Sequence, residues 1–263
     1  MEMERAERNE GDSRGKRIDS MRRKAEHLHN LVEDSVNSDE RLPPGQSLVR
    51  QGFPVLDLGE HPVIATGDWR LKLDFETKQE EILDWEKFSK LPVSHFTHDI
   101  HCVTAWSVFD ARFSGPSTQA LTGCFSMGNE VTHVLVHGAD GYSANLEISD
   151  FLADGALLAT HLNDEPLSVS HGGPLRLVIP HLYFWKSPKW ITRIEFLSAD
   201  KPGFWEERGY HNRGDPWKQE RYGKPHLKNE SGEPVQAMAP IEILEASSWK
   251  KFLRGVKKAM EYL

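Results

Sequence analysis

Short segments with a strand pattern, separated by turn residues, are the feature that most restricts the fold of this chain. Residues 69–75 alternate apolar and polar side chains, as a half-buried strand does. The β-branched run 131–137 ends at a glycine-rich turn at 138–141, and residues 142–148 then resume the strand pattern. Because strands and short helices mix without a regular strand–helix repeat, the sequence predicts a β-rich α+β domain.

Other local signals place further elements in the same domain. Asp84 is predicted to cap a short helix that runs through Phe88, and Ser149 to cap a second short helix over Phe151. Apolar runs predict further buried strands at 156–162, 175–179 and 191–197.

Composition divides the chain into three parts. Residues 1–40 hold 11 acidic and 8 basic side chains and few large apolar ones, so this segment cannot bury enough surface to offset its ordering entropy. The sequence Leu-Pro-Pro-Gly at 42–45 marks a stiff boundary. We therefore predict a flexible charged extension at 1–41, a folded domain at 42–222 and a C-terminal extension at 223–263.

The end of the C-terminal extension has the pattern of an amphipathic basic helix. Apolar side chains recur at helical spacing between residues 248 and 263, and lysines and an arginine occupy the other face. Such a helix can dock on the folded domain, on a partner protein or on a membrane surface. The sequence leaves these alternatives open.

Charge and cysteine content exclude several classes of protein. The net charge of −8 argues against nucleic-acid binding, and no run of eighteen apolar residues predicts a transmembrane segment. Two cysteines are too few for a disulfide scaffold and fit a reducing compartment. The arginine pair at 22–23 is followed by polar residues where an export signal needs an apolar core, so we predict a cytoplasmic location.

The stretch 95–107 contains three histidines at intervals of three residues, followed by a cysteine. Its aromatic and β-branched residues favour extended structure. In a strand, His95 and His101 would face one side while His98 and Cys102 face the other, so three ligands from this segment could not converge on one metal. A zinc site is therefore disfavoured. A thiol-redox pair is also weakly supported, because no CxxC motif is present, and a lone cysteine is most often a small buried hydrophobe.

The stretch 171–190 has the composition of an anion site. It offers backbone amides at Gly172 and Gly173, together with the cations Arg176, Lys186 and Lys189. A guanidinium and ammonium groups beside exposed amides suit a phosphate-bearing ligand. The Gly-Lys-Ser/Thr sequence of a P-loop is absent, and a pair of edge strands with solvated lysines is an equally good interpretation.

Four segments in series, 101–107, 138–143, 171–190 and 204–217, resemble the sulfite-oxidase-type molybdopterin-dependent oxidoreductase family. The resemblance covers roughly residues 42–222 and is closest to the compact single-domain prokaryotic members. It implies a β-rich fold of mixed sheets with short helices. It also implies that the cofactor is molybdenum bound to molybdopterin.

The resemblance assigns roles to particular residues. Cys102 corresponds to the protein thiolate ligand of molybdenum, and a soft thiolate suits such a sulfur-rich metal site. Tyr142 and Trp106 correspond to residues at the substrate entrance, although each could equally serve packing. The cofactor-binding positions implied in addition to Cys102 are His101, His137, His171, Arg176, Ser187 and Lys189.

The implied activity is oxygen-atom transfer, or a related two-electron reaction, on a small-molecule substrate. No haem domain accompanies the segments, so a separate electron-transfer partner is expected. Residues 103–107 contain none of the arginines that hold an anionic substrate in vertebrate-type members, which disfavours sulfite. The alternatives are a non-catalytic pterin-binding or carrier protein, and a structural domain in which Cys102 is merely buried.

Overall fold

A computed structural model describes residues 40–76, 80–125, 127, 128 and 130–223. The predictions for residues 1–39 and for the helix at 248–263 lie outside these described residues. The strands are β1 (Ser47–Leu48), β2 (Arg70–Phe75), β3 (Glu80–Asp84), β4 (Val93–His101), β5 (Trp106–Pro116), β6 (His133–Gly138), β7 (Ser143–Glu147), β8 (Leu157–Ala159), β9 (His161–Leu162), β10 (Glu165–Pro166), β11 (Arg176–Val178) and β12 (Ile191–Leu197). The helices are α1 (Trp85–Phe88), α2 (Thr118–Thr122) and α3 (Ile148–Phe151), with 3₁₀ turns at Val169–His171, Phe184–Lys186 and Glu206–Arg208.

The strands form three sheets that mix parallel and antiparallel pairs. One sheet has the order β3-β2-β12-β6-β7, in which only the pair β2 and β12 is parallel. A second has the order β1-β5-β9-β10, with β4 also paired to β5, and its β1–β5 pair is parallel. The third is the antiparallel ribbon β8–β11. This arrangement confirms the predicted β-rich α+β class with mixed sheets and short helices.

Local predictions agree with the structure where the signal is a strand period or a capping side chain. The five strands predicted at 69–75, 131–137, 142–148, 175–179 and 191–197 are present as β2, β6, β7, β11 and β12, with ends shifted by up to two residues. The Asp84 carboxylate accepts a hydrogen bond of 2.8 Å from the Lys87 amide and caps α1.

Two local predictions are wrong. Ser149 does not cap α3 but lies inside it, because the helix begins at Ile148 and its N-cap residue is Glu147. The run 156–162 is not one strand, because β8 pairs with β11 while β9 pairs with β5. The chain changes sheets at Thr160, whose amide donates to the Ser114 carbonyl of β5 at 2.8 Å.

The β8–β11 ribbon separates two apolar clusters. Leu158 and Leu177 are directly paired in the ribbon and pack into the cluster that covers the β3-β2-β12-β6-β7 sheet. Val178, one residue further along β11, packs instead into the cluster that contains Cys102. Since side chains alternate between the two faces of a strand, Arg176 shares the face of Val178 and is directed toward the cluster around Cys102.

No helix in the described part of the chain is long and apolar enough to cross a membrane.

Candidate functional site

One cavity brings together seven of the nine predicted site residues. Its volume is about 770 Å³ when the part open to solvent is included. The predicted residues that line it are Cys102, Trp106, Tyr142, His171, Arg176, Ser187 and Lys189. They come from the β4–β5 turn, the β6–β7 turn and the segment between residues 171 and 189, so the tertiary fold joins segments that are distant in sequence.

A tight turn between β4 and β5 presents Cys102 to the cavity. The Cys102 amide donates to the Trp106 carbonyl at 2.9 Å, and the Ala105 amide donates to the Cys102 carbonyl at 3.0 Å. Ala105 has a φ of +72°, in the left-handed region that lets the chain reverse within four residues. The Gln46 side chain also donates to the Cys102 carbonyl at 3.0 Å. These bonds hold the backbone of Cys102 on both sides.

The Cys102 thiol is free and nearly buried, with 6% of the residue exposed. Burial raises its pKa, while a hydrogen bond with the Thr104 hydroxyl, at 3.2 Å from the sulfur, acts in the opposite direction. Beside it, the Trp106 indole nitrogen is buried and has no hydrogen-bond partner among the described residues. A buried indole N–H without a partner is a costly feature unless a ligand accepts from it.

Arg176 is a buried cation in the cavity wall. Its guanidinium donates to the carbonyls of His171 and Ser187, each at 3.1 Å, and lies 4.3 Å from the Phe184 ring centroid. Within the described part of the chain, Arg176 forms no ion pair with a carboxylate. Burial lowers its pKa to about 9, so it still carries a charge at neutral pH. A buried charge without a counter-charge is unfavourable by itself and suits an anionic ligand.

Ser187 and Lys189 lie on the loop that leads into β12. The Ser187 hydroxyl accepts from the Ile179 amide at 2.9 Å, which fixes the loop against β11. The Lys189 ammonium donates to the Ser170 carbonyl at 3.0 Å and lies 3.7 Å from a carboxylate oxygen of Asp57. Lys189 therefore supplies a second positive charge in the wall that contains Arg176.

His171 lies between these cations. Its pKa is lowered to about 4, mainly by burial and further by the charges of Arg176 and Lys189. The imidazole is therefore neutral at physiological pH and offers one donor and one acceptor nitrogen.

Tyr142 lines the cavity, but its hydroxyl already has a partner. The hydroxyl donates to the Trp185 carbonyl at 2.6 Å. Burial raises the pKa of Tyr142 well above its usual value, so the phenol stays protonated. Tyr142 thus shapes the wall with its ring, while its proton is engaged in a protein contact.

His101 and His137 lie outside this cavity. His101 is directed to the other side of the β4 strand, where its Nδ1 shares a hydrogen bond of 2.8 Å with the Ser107 hydroxyl. His137 lies on β6 and pairs with the Glu195 carboxylate at 2.6 Å. The cofactor-binding roles predicted for these two histidines stay predictions. Among the described residues, no group of three or more His, Cys, Asp or Glu side chains is arranged to hold a metal ion.

Two details of the predicted anion site are wrong. Lys186 does not face the cavity, because its side chain is fully buried and pairs with the Glu206 carboxylate at 2.6 Å. The amides of Gly172 and Gly173 are not free, because they donate to the carbonyls of Val169 and Ser168, each at 3.0 Å. The 3₁₀ turn at Val169–His171 uses these amides to close itself.

Several residues that line the cavity were not predicted from the sequence. Trp205 and Tyr210 lie in the stretch 204–217 that supports the family resemblance, and Asp140 lies in the predicted turn at 138–141. These positions could have been found from the motifs, although no pattern assigned them to the cavity. Residues 54–58 also line it, and no local pattern distinguishes them from an ordinary loop.

The cavity has the features that a phosphate-bearing cofactor with a sulfur-bound metal requires. The Cys102 thiol, a soft metal ligand, lines the same cavity as the buried guanidinium of Arg176. Arg176 forms no ion pair with a carboxylate among the described residues. The buried Trp106 N–H, which has no partner among the described residues, is a further donor available to a ligand. The residues present therefore fit the molybdenum cofactor.

Comparisons with known proteins agree with this fit. The model of the family described as "Oxidoreductase molybdopterin binding domain" matches residues 58–205, more than half of the chain. The oxidoreductase YuiH of Bacillus subtilis is 41% identical over 183 residues, which are 69% of this chain and 92% of that protein. The mitochondrial sulfite oxidase of Drosophila melanogaster is 32% identical, over 62% of this chain and 32% of that protein.

More distant similarities extend the comparison. The catalytic subunit MsrP of the protein-methionine-sulfoxide reductase of Burkholderia mallei is 23% identical, over 56% of this chain and 51% of that protein. The crystal structure of the sulfane dehydrogenase SoxCD from Paracoccus pantotrophus superposes with a TM-score of 0.52 at 16% identity, covering 73% of this chain and 58% of that one. Except for YuiH, these matches span less than two thirds of the related protein. The SoxCD match confirms the predicted fold.

The family match and the YuiH similarity confirm the predicted cofactor and class of enzyme. The chain therefore belongs to the oxidoreductase molybdopterin-binding domain family and is a molybdopterin-dependent oxidoreductase whose cofactor is the molybdenum cofactor.

Proposed function

We propose that this protein is a mononuclear molybdenum oxidoreductase in which Cys102 is the protein ligand of the metal. The observation that carries the proposal is the shared cavity, which is lined by the Cys102 thiol and by the cations Arg176 and Lys189. Cys102 would bind the metal, and the two cations would hold the phosphate of the pterin. When bound, the cofactor supplies two-electron oxygen-atom-transfer chemistry.

The other residues of the cavity would orient the cofactor and limit access to it. His171 is neutral and can exchange hydrogen bonds with the pterin without adding charge. Ser187 supports Arg176 through its carbonyl. Trp106 and Tyr142 would form the walls of the substrate entrance, and the Trp106 N–H would donate to the cofactor or to the substrate.

We further propose that the substrate is a small neutral oxide of sulfur or nitrogen, reduced by removal of its oxygen atom. The residues that follow Cys102 in the cavity wall are Val103 and Thr104, which carry no charge. Arg176 and Lys189 are assigned to the phosphate, and His171 is neutral, so no described cation in the wall remains for an anion such as sulfite. The relationship to a methionine-sulfoxide reductase supports an S-oxide in particular.

In this proposal the site holds one cofactor, and a separate protein or small carrier would supply its electrons. A non-catalytic carrier of the cofactor is the alternative function. It differs from the enzyme in that the loaded protein would not turn over.

The test compares wild type, Cys102→Ser and Cys124→Ser, all produced in a host that makes the cofactor. Cys124 is exposed and lies outside the cavity, so it is the matched control. Each protein is analysed for molybdenum, for pterin released on denaturation and for its visible spectrum. The wild type is then supplied with methionine sulfoxide, an N-oxide or sulfite, together with an artificial electron donor or acceptor.

We expect close to one molybdenum per chain in wild type and Cys124→Ser, and a changed visible spectrum with loss of activity in Cys102→Ser. An unchanged spectrum in Cys102→Ser would reject Cys102 as the ligand. A loaded wild type that reduces none of the oxides would favour the carrier, and turnover of sulfite alone would reject the neutral substrate.

A further inference from the structure

Arg221 lies directly behind the turn that presents Cys102. Its Nη1 donates to the carbonyl of Val103, the residue that follows Cys102. Its guanidinium carbon is 4.9 Å from the ring centroid of Tyr183, which belongs to the same apolar cluster as Cys102. Arg221 does not line the cavity, so it reaches the Cys102 turn from the side that a substrate does not contact.

The backbone of Arg221 is fastened to a segment that forms part of the cavity. The Arg221 carbonyl accepts from the His211 amide at 3.2 Å, and the Gly223 amide donates to the Gly209 carbonyl at 3.0 Å. Between them, Tyr210 and Tyr222 form a β-bridge, and their rings are 5.2 Å apart. Tyr210 lines the cavity, so the position of Arg221 is linked to the cavity wall.

The charge of Arg221 is not neutralised by an ion pair within the described residues, although the side chain is half-buried. Its guanidinium binds the carbonyl of Val103, the residue directly after Cys102. Since the guanidinium lies against Tyr183, and Tyr183 and Cys102 belong to the same apolar cluster, solvent screens charges here less than it does at an exposed surface.

We propose that Arg221 is a positioning residue that fixes the Cys102 turn and offsets the negative charge of the Cys102 sulfur. This inference rests on the proposed function, in which that sulfur binds molybdenum. A positive charge beside the ligand stabilises the metal centre after it has gained an electron, so Arg221 raises its reduction potential. Arg221 acts through Cys102 and does not touch the substrate.

The experiment is a redox titration of the loaded holoenzyme, followed by the electron paramagnetic resonance signal of the one-electron-reduced metal. Arg221→Met removes the charge and the hydrogen bond, Arg221→Gln keeps a donor for the Val103 carbonyl, and Arg221→Lys keeps the charge. Arg112→Met is the matched control, because Arg112 is an exposed residue of β5 that pairs with Asp164 outside the cavity. Molybdenum content is measured for every protein.

We expect Arg221→Met and Arg221→Gln to lower the ratio of reduced to oxidised metal at a fixed potential about tenfold, which equals about 59 mV for a one-electron couple. Arg221→Lys should keep a potential near that of wild type, and Arg112→Met should match wild type because solvent screens its charge. If either neutral variant that loads metal keeps the wild-type potential, or if Arg221→Lys shifts as far as Arg221→Gln, a charge effect is rejected. A wild type without molybdenum would reject the proposed function and this inference with it.

Discussion

The guanidinium of Arg176 is buried in the cavity wall, where only backbone carbonyls and an aromatic ring surround it among the described residues. Charged hydrogen bonds to carbonyls satisfy its donors but do not cancel its charge. A bound phosphate would cancel that charge and accept charge-assisted hydrogen bonds. The arrangement is therefore costly in the free protein and favourable when an anion is bound.

Replacing Arg176 tests this interpretation. We expect Arg176→Gln to bind the cofactor about 10- to 100-fold more weakly, the loss that corresponds to one or two hydrogen bonds from a charged group, and so to retain less pterin per chain after gel filtration. The measurement is the fluorescence of pterin released on denaturation. Arg112→Gln, at an exposed arginine outside the cavity, should retain as much pterin as wild type. Equal retention by Arg176→Gln and wild type would show that Arg176 does not hold the cofactor.

Between elements, β5 lies very close to β8 at Gly115. A Cβ atom on Gly115 would lie 2.2 Å from the Leu158 carbonyl oxygen and 2.9 Å from the Ala159 Cα. Both atoms belong to the backbone and cannot rotate away. Since β5 begins at Trp106 and β8 pairs with Arg176 through β11, this close contact sets the position of the Cys102 wall relative to the Arg176 wall.

Gly115→Ala should therefore lower the free energy of unfolding by about 3 kcal/mol, the upper range for overpacking in a core. Gly67→Ala is the control, because nothing lies within 4 Å of the added methyl group. Urea denaturation at neutral pH measures both variants. A stability of Gly115→Ala within 0.5 kcal/mol of Gly67→Ala, roughly the scatter of surface substitutions, would contradict the close packing of β5 on β8.

Helix α3 is tied to two other segments through Asp150. Its carboxylate binds the Arg213 guanidinium with two hydrogen bonds of 2.9 and 3.0 Å, and His181 at 2.9 Å. Burial alone would raise the pKa of Asp150, but these hydrogen bonds outweigh it and hold the pKa well below its usual range. The ionised form is thus favoured in the folded state more than in the unfolded state.

Asp150→Asn should lower the free energy of unfolding by about 2 kcal/mol at pH 7, between the values for exposed and buried ion pairs. A carboxyl whose pKa is lower in the folded state stabilises the protein above its unfolded pKa, near 4, and loses that effect as the pH falls toward the folded pKa. The difference between wild type and Asp150→Asn should therefore shrink between pH 5 and pH 2. Asp154→Asn, at an exposed position, should show no such difference.

In the molecule as a whole, the cavity is lined in large part by one of the apolar clusters. Trp106, Trp185, Trp205 and Tyr210 belong both to this cluster and to the cavity wall. A ligand in the cavity would therefore complete the packing of a core. Binding of the cofactor and stability of the domain should be coupled.

Removing the cofactor should lower the melting temperature and increase the quenching of tryptophan fluorescence by acrylamide. A ligand present at a thousand times its dissociation constant stabilises a protein by about 4 kcal/mol. Calorimetry on loaded protein, and on the same protein after the cofactor is released, measures the effect. Identical melting temperatures for the two forms would show that the cavity walls are complete without the ligand.

The amino-acid sequence alone determined the local elements and the chemical types of the site residues. The period of β2 and the Asp84 cap of α1 were predictable because they depend on neighbours within a few residues. The motifs around Cys102, Arg176 and Lys189 predicted a soft ligand and two cations for a phosphate. Seven of the nine site residues that the sequence predicted line the cavity.

Tertiary structure alone decided which way those residues face and which segments meet them. Lys186 pairs with the buried Glu206 carboxylate, so it is not one of the cations that line the cavity. His101 is next to Cys102 in the sequence, but its side chain points away from the cavity toward Ser107. Residues 54–58 line the cavity and Arg221 binds the Val103 carbonyl, although these residues are far from Cys102 in the sequence. The physical reason is that these directions depend on the order of strands in the sheets and on the packing of β5 against β8. Both are contacts between segments that are distant in sequence, whereas a sequence pattern carries information only about its own strand or turn.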